Sequence, residues 1–187
     1  RRQIHRDFRK PLVIMTPKSL LRNKYCVSNL EDFSKDNSFH RILGDHASES
    51  GYNFINLKKK DKIEKVILCS GKIYFDLLEA REKFKKDDVT LIRIEQLYPF
   101  PAKSLANELK PYKQIAKFYW CQEEPKNMGA WYFIQPLINK LLNDTKAKNQ
   151  SLKYVGRKES ASTATGLFKK HLKEQNEIIE TLLNNKA

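Results

Sequence analysis

The chain has 187 residues, of which 40% are hydrophobic and 11% aromatic, which suits one α/β domain with some extra structure or one domain plus a fragment of a neighbour, but not two full domains. No apolar run approaches the roughly twenty residues that cross a bilayer, which leaves no candidate for a helical membrane span. The net charge of +14 raises nucleic acid as a partner, yet eight basic residues against the single acid Asp7 lie in residues 1–25, so half of the excess is local and the rest is spread over mixed Lys/Glu faces.

The opening RRQIHRDFRK has neither an initiator Met nor an apolar signal core, and it reads as the continuation of an upstream start. Residues 2–9 predict a helix that Pro11 ends. Leu12-Val13-Ile14-Met15 predicts a buried strand, and Pro17 starts a short helical turn through Arg22. Residues 44–62 predict a long surface loop. From Ile63 the pattern is regular. Strands are predicted at Lys65–Cys69, Val89–Ile94, Ile115–Cys121 and Leu152–Val155. Helices are predicted over about 73–84, from Pro101 to near Pro111, from Ala130 to Leu142 with a kink at Pro136, and from Gly166 to Leu183. Alternating strands and helices imply a three-layer α/β fold, a mainly parallel sheet flanked by helices.

Cys26, Cys69 and Cys121 are odd in number and widely spaced, with no metal-ligand spacing, which suits a reducing compartment; Cys69 and Cys121 end apolar runs and read as small buried side chains. The histidines His5, His40, His46 and His171 stand apart from one another and from any nucleophile. The turn Cys69-Ser70-Gly71-Lys72 can hold an anion at a helix start, but a compact turn needing one glycine explains it as well, and Lys72 is the residue that decides. Glu95 to Pro101 is a rigid, proline-locked elbow without a catalytic partner. Glu123 and Glu124, in the predicted loop after the third strand, invite acid–base or metal chemistry; with no companion ligand motif they read as an interface, anchored by Trp131 and Tyr132. Ser160 to Gly166 is a polar loop that could hold a phosphate, but Thr163 or Thr165 as N-cap of the last helix is the simpler reading. Lys10, Lys18, Ser19, Arg22 and Lys24 flank the first predicted strand and favour either a phosphate-like anion or an acidic neighbouring domain; both readings stay open. No catalytic or metal-ligating residue is predicted.

Six ordered motifs carry a resemblance. Arg1-Arg2-Gln3, Lys10-Pro11-Leu12-Val13 with Thr16 through Arg22, Cys69-Ser70-Gly71-Lys72, Arg93 through Pro101, Gln122-Glu123-Glu124-Pro125 with Gly129-Ala130-Trp131, and Tyr154 through Arg157 resemble the C-terminal region of 2-oxoglutarate dehydrogenase decarboxylases. The resemblance implies a transketolase-like architecture, with residues 1–25 as the end of a pyrimidine-binding domain and linker and 26–187 as the C-terminal domain. It implies that thiamine diphosphate and magnesium are bound by upstream domains, none in this fragment, and that the fragment alone is inactive. It further implies a homodimer, a lipoyl-bearing succinyltransferase partner, and a bacterial cytoplasmic or mitochondrial matrix location. Relatives that bind acetyl coenzyme A as an activator suggest an effector site at Lys10, Lys18, Ser19, Arg22, Gln96 and Lys103, although Lys10 stands where they have Arg. Substrate choice between 2-oxoglutarate and 2-oxoadipate would be made upstream. A basic anion-binding module for coenzyme A, nucleotide or nucleic acid is the alternative.

Overall fold

A computed structural model describes residues 4–34, 38–45, 54–112 and 114–184. They fall into two compact units, residues 1–37 and 38–187.

The first unit holds two short 3-10 helices, Lys18–Arg22 and Leu30–Phe33, the second opened by a hydrogen bond of 2.9 Å from the Asn29 amide to the Asp32 carboxylate. Two expectations fail here. Residues 4–8 form turns and bends rather than a helix, because Arg6, Arg9 and Lys10 crowd a stretch with one acid to offset them. Leu12, Val13, Ile14 and Met15 form no regular element, join no sheet and are 68–91% exposed. A strand is made by its ladder partner, and no described residue supplies one to this run.

The second unit is a five-stranded sheet in the order β1-β3-β2-β4-β5. Its strands are β1 (Ile42–Leu43), β2 (Lys65–Cys69), β3 (Val89–Ile94), β4 (Lys117–Pro125) and β5 (Leu152–Arg157). Strands β2 to β5 are parallel, and β1 adds antiparallel to the edge strand β3. The helices are α1 (Ile73–Phe84), α2 (Ala102–Leu109), α3 (Trp131–Asp144) and α4 (Phe168–Leu183). The period-2 alternation of each strand divides the core. Val66, Leu68, Ile92, Ile94, Phe118 and Trp120 face α2 and α3 in one cluster; Ile67, Leu91 and Tyr119 point the other way, towards the layer where α1 and α4 pack together. Each buried aliphatic side chain in these layers contributes about 1.5–3 kcal/mol of transfer free energy.

The predicted three-layer α/β architecture is the observed one. Three details differ. The two-residue β1 is too short to leave a period in the sequence. Strand β4 continues through Gln122-Glu123-Glu124-Pro125, read above as loop, because β5 pairs with it as far as Pro125 and Arg157. Helix α4 has Leu167 as N-cap and no side-chain cap, so neither Thr163 nor Thr165 caps it. Residues 46–53, most of the predicted long loop and His46 with it, lie outside the described residues.

Strand β2 passes to α1 on one face and its neighbour β4 passes to α3 on the other. Between the C-terminal ends of these two strands the sheet therefore has its switch point, the place where open α/β sheets take ligands.

Candidate functional site: the rim at the C-terminal ends of the strands

Four connections meet at this end. After β2, Gly71 turns the chain with φ +78°, a conformation that favours glycine. Lys72 follows as N-cap of α1. Its ammonium does not wait for an anion: it sits 2.9 Å from Asp76 and 2.7 Å from Glu123. Burial alone would lower the Lys72 pKa, but the hydrogen bonds to Glu123 and Asp76 outweigh it and hold the pKa above the usual lysine value. Gln175 of α4 completes the cluster, donating at 2.7 Å to Asp76 and 3.1 Å to Glu123.

Strand β4 carries a buried amide three residues before its end. Gln122 is 4% exposed. Its Oε1 accepts from the Trp120 indole at 2.9 Å and from the Trp131 backbone at 3.1 Å. Its Nε2 donates to the carbonyl of Met128 at 2.8 Å and to that of Pro125 at 3.2 Å. One side chain thus closes the whole connection from β4 to α3. The packing leaves no room at Gly129, where a Cβ would stand 2.9 Å from Gln122 Nε2.

Strand β5 ends on Arg157, whose guanidinium donates to the carbonyls of Glu123 and Thr163 and lies 3.7 Å from Glu174. The Tyr154 hydroxyl donates to the Arg157 carbonyl at 2.7 Å, and burial raises its pKa. Asn127 exchanges two hydrogen bonds with the Ser160 backbone, at 2.9 and 3.1 Å, and the Tyr132 hydroxyl reaches Glu159 at 3.0 Å. Above this platform an open crevice of about 440 Å³ is lined by Ser70, Gly71, Leu97, Trp120, Gln122 and Phe133, among others.

The rim is rich in charge and in amides that are spent on one another. Glu123, a candidate from sequence, is an internal ion-pair partner. Glu124 is exposed. Trp131 is 6% exposed and packs on Tyr154 with ring centroids 5.1 Å apart, while Tyr132 is 57% exposed and turned outward. Lys72, the residue singled out for the anion question, is held here between Asp76 and Glu123. Burial pushes the Cys69 thiol up to about 12 and raises that of Cys121.

The basic candidates lie elsewhere. Lys18, Ser19 and Arg22 are exposed on the first 3-10 helix, and Lys10 lies 5.4 Å from the Phe8 ring centroid, all in the first unit. Gln96 and Lys103 belong to the second, where the Gln96 amide donates to the Pro99 carbonyl at 2.7 Å and Lys103 is exposed on α2.

Sequence reasoning missed Asp45 and Arg81, which are 3% and 0% exposed at their side chains and joined as an ion pair. Asp45 also accepts from the Leu91 amide at 2.7 Å and Thr90 Oγ1 at 3.2 Å. A signal existed, since Arg81 continues the buried stripe Tyr74, Leu77, Leu78 of α1, and a charge on a buried stripe demands a partner.

The family described as "2-oxoglutarate dehydrogenase C-terminal" matches residues 27–183. The chain belongs to that family. Among its relatives, the 2-oxoglutarate dehydrogenase E1 component of Brucella anthropi is 55% identical over 185 residues, and that of Brucella ovis 54% over 183 residues. These alignments cover 99% and 98% of this chain, which spans 18% of the length of either relative. A solved structure titled "Split gene transketolase, inactive beta4 tetramer" aligns with 83% of the chain and 46% of its own, at 13% identity and a TM-score of 0.45. Within the 2-oxoglutarate dehydrogenase C-terminal family, then, this member presents a rim whose Lys72, Gln122 and Arg157 are held by internal partners, while the Thr165 hydroxyl is buried without a hydrogen bond. No helix of the described residues is long and apolar enough to cross a membrane.

Proposed function

We propose that the chain is the C-terminal portion of the decarboxylase component of a 2-oxoglutarate dehydrogenase and contributes shape and contacts to that enzyme without supplying a reacting group. The carrying observation is the 55% identity over 185 residues to a named component of which this chain spans 18%. The parent reaction is oxidative decarboxylation of 2-oxoglutarate with succinyl transfer to a lipoyl group on a succinyltransferase partner.

Thiamine diphosphate, bound with magnesium, supplies the carbanion chemistry of that reaction. The residues present here do not fit it. Among the described residues no three His, Cys, Asp or Glu side chains are placed to hold a metal ion, and the rim lysine, Lys72, is held by two carboxylates rather than available to a diphosphate. No step of the reaction is therefore routed through this chain. Its own contribution is the platform of Gln122, Arg157 and Tyr154, which fixes Tyr132 and Glu124 as an exposed, ordered surface for dimer contacts.

The full-length polypeptide, supplied with thiamine diphosphate and magnesium, is expected to reduce ferricyanide in the presence of 2-oxoglutarate, and this chain alone to give none. No 2-oxoglutarate-dependent reduction by the full-length polypeptide overturns the reading. A regulatory role rests on Lys10, Lys18, Ser19 and Arg22, three cations and a hydroxyl that suit the phosphates of acetyl coenzyme A. Titration calorimetry on the full-length polypeptide is expected to show saturable binding that Arg22→Ala weakens; heats unchanged from buffer at millimolar ligand remove the site.

A further inference from the structure

Parallel strands joined by helices send every helix-to-strand connection to one end of the sheet and every strand-to-helix connection to the other. In this chain the two ends differ in charge. The connections 70–72, 95–101, 126–130 and 158–167, at the C-terminal ends of the strands, hold three lysines and two glutamates. Segments 58–64, 85–88, 110–116 and 145–151, at the N-terminal ends, hold nine lysines against four carboxylates among their described residues, and no arginine.

Helix dipoles do not absorb this excess. The C-termini of four helices at this end present roughly −2 charges in total, whereas the excess of lysines over carboxylates is five. Local pairing does not absorb it either. Asp87 and Asp88 share the one lysine Lys58, at 3.3 and 4.0 Å. Lys60 and Lys62 are exposed on the short helix Lys60–Lys62, with Lys59 exposed as its N-cap, and this helix packs against its counterpart Lys110–Tyr112 before β4. Lys117 opens β4 and is exposed, adding one more lysine at this end, whereas the ammonium of its register neighbour Lys65 is half-buried and donates to the Leu182 carbonyl at 2.9 Å.

We propose that this N-terminal end of the sheet is a docking surface for a carboxylate-rich segment of a protein partner. A second copy of the chain does not complement it: its own N-terminal end is equally basic, its C-terminal end carries nearly balanced charge, and its first unit is basic as well. Nucleic acid fits poorly, because the cations are compact lysine ammoniums with no exposed aromatic ring among them: Tyr112, the aromatic residue in these segments, is 3% exposed. Backbone-tracking nucleic-acid grooves combine cations with stacking rings and favour guanidinium. Ammoniums spread over a flat end suit a fast, salt-screened contact with flexible carboxylates. The surface is separate from the rim and stands whether or not the parent reaction is the one proposed.

The test uses a short poly-glutamate peptide, titrated at low salt into the complete chain and into two triple variants of equal charge change. One is Lys59→Gln/Lys60→Gln/Lys62→Gln; the other is Lys169→Gln/Lys170→Gln/Lys173→Gln on the exposed face of α4. The first variant is expected to bind about tenfold more weakly than the unmodified chain, and the second to bind within about twofold of it. The proposal is overturned if the unmodified chain does not bind, if both variants lose affinity alike, or if a DNA oligonucleotide of equal charge displaces the peptide and loses affinity in the same variant.

Discussion

The two ends of the sheet are built on opposite terms. At the C-terminal end the named polar groups are held by one another: Lys72 by Asp76 and Glu123, Gln122 by two tryptophans and two carbonyls, Arg157 by the carbonyls of Glu123 and Thr163. At the N-terminal end lysines outnumber their carboxylates and face solvent. Position in an α/β fold therefore does not by itself mark the site. The end where ligands usually bind is here the structural one, and the end usually left to stability carries the unspent charge.

If that contrast holds, substitutions at the two ends divide by their effect on folding. The largest effect belongs to neither exposed end but to the interior pair of Arg81 and Asp45. Arg81→Met strands Asp45 in the interior and is expected to cost about 3–5 kcal/mol in a denaturant titration; a cost below about 1 kcal/mol would mean that the pair is solvated. Next comes the rim. Gln122→Leu orphans the Trp120 indole and the Trp131 amide and is expected to cost about 2–4 kcal/mol, with a change in the near-ultraviolet signal of the two tryptophans.

Lys72→Met is smaller, below about 1 kcal/mol, since the group is 26% exposed. Its signature is in pH. The folded pKa lies above the unfolded value of 10.5, so the stabilisation is fully present below about 10.5 and disappears as pH rises through the higher folded value. The unmodified chain should lose stability across that alkaline window and Lys72→Met should lose less; parallel curves would break the assignment. Smallest of all is Lys59→Gln/Lys60→Gln/Lys62→Gln, expected within about 0.5 kcal/mol of the unmodified chain. A destabilisation of several kcal/mol would make those lysines structural and erase the contrast between the ends.

How far the sequence reveals this depends on range. Strands β2 and β3 and helices α1 and α3 are legible because each carries its own period: Val66-Ile67-Leu68 between turn residues, and Leu77, Leu78 and Arg81 at helical spacing. The end of β4 is not, since Gln122-Glu123-Glu124-Pro125 has loop composition and becomes strand only by pairing with β5, twenty-seven or more residues away. Leu12–Met15 shows the reverse case, where local pattern promises burial that no described partner provides. The site suffered from the same limit. Glu123 and Glu124 attract attention as adjacent carboxylates, yet only the fold brings Lys72 against Glu123, across 51 positions of sequence. Trp120 and Gln122, two residues apart on one face of a strand, were the local clue to the rim's organising amide.

Under the proposed function, this chain supplies no reacting group to a 2-oxoglutarate dehydrogenase. That is tested most directly by measuring kcat for 2-oxoglutarate-dependent ferricyanide reduction by the full-length polypeptide carrying Lys72→Met, Glu123→Gln or Glu124→Gln, each confirmed folded. The expected kcat lies within about threefold of the unmodified polypeptide for all three. A fall of about a hundredfold or more in any one, with fold retained, would be the size of a lost general acid or base and would contradict it.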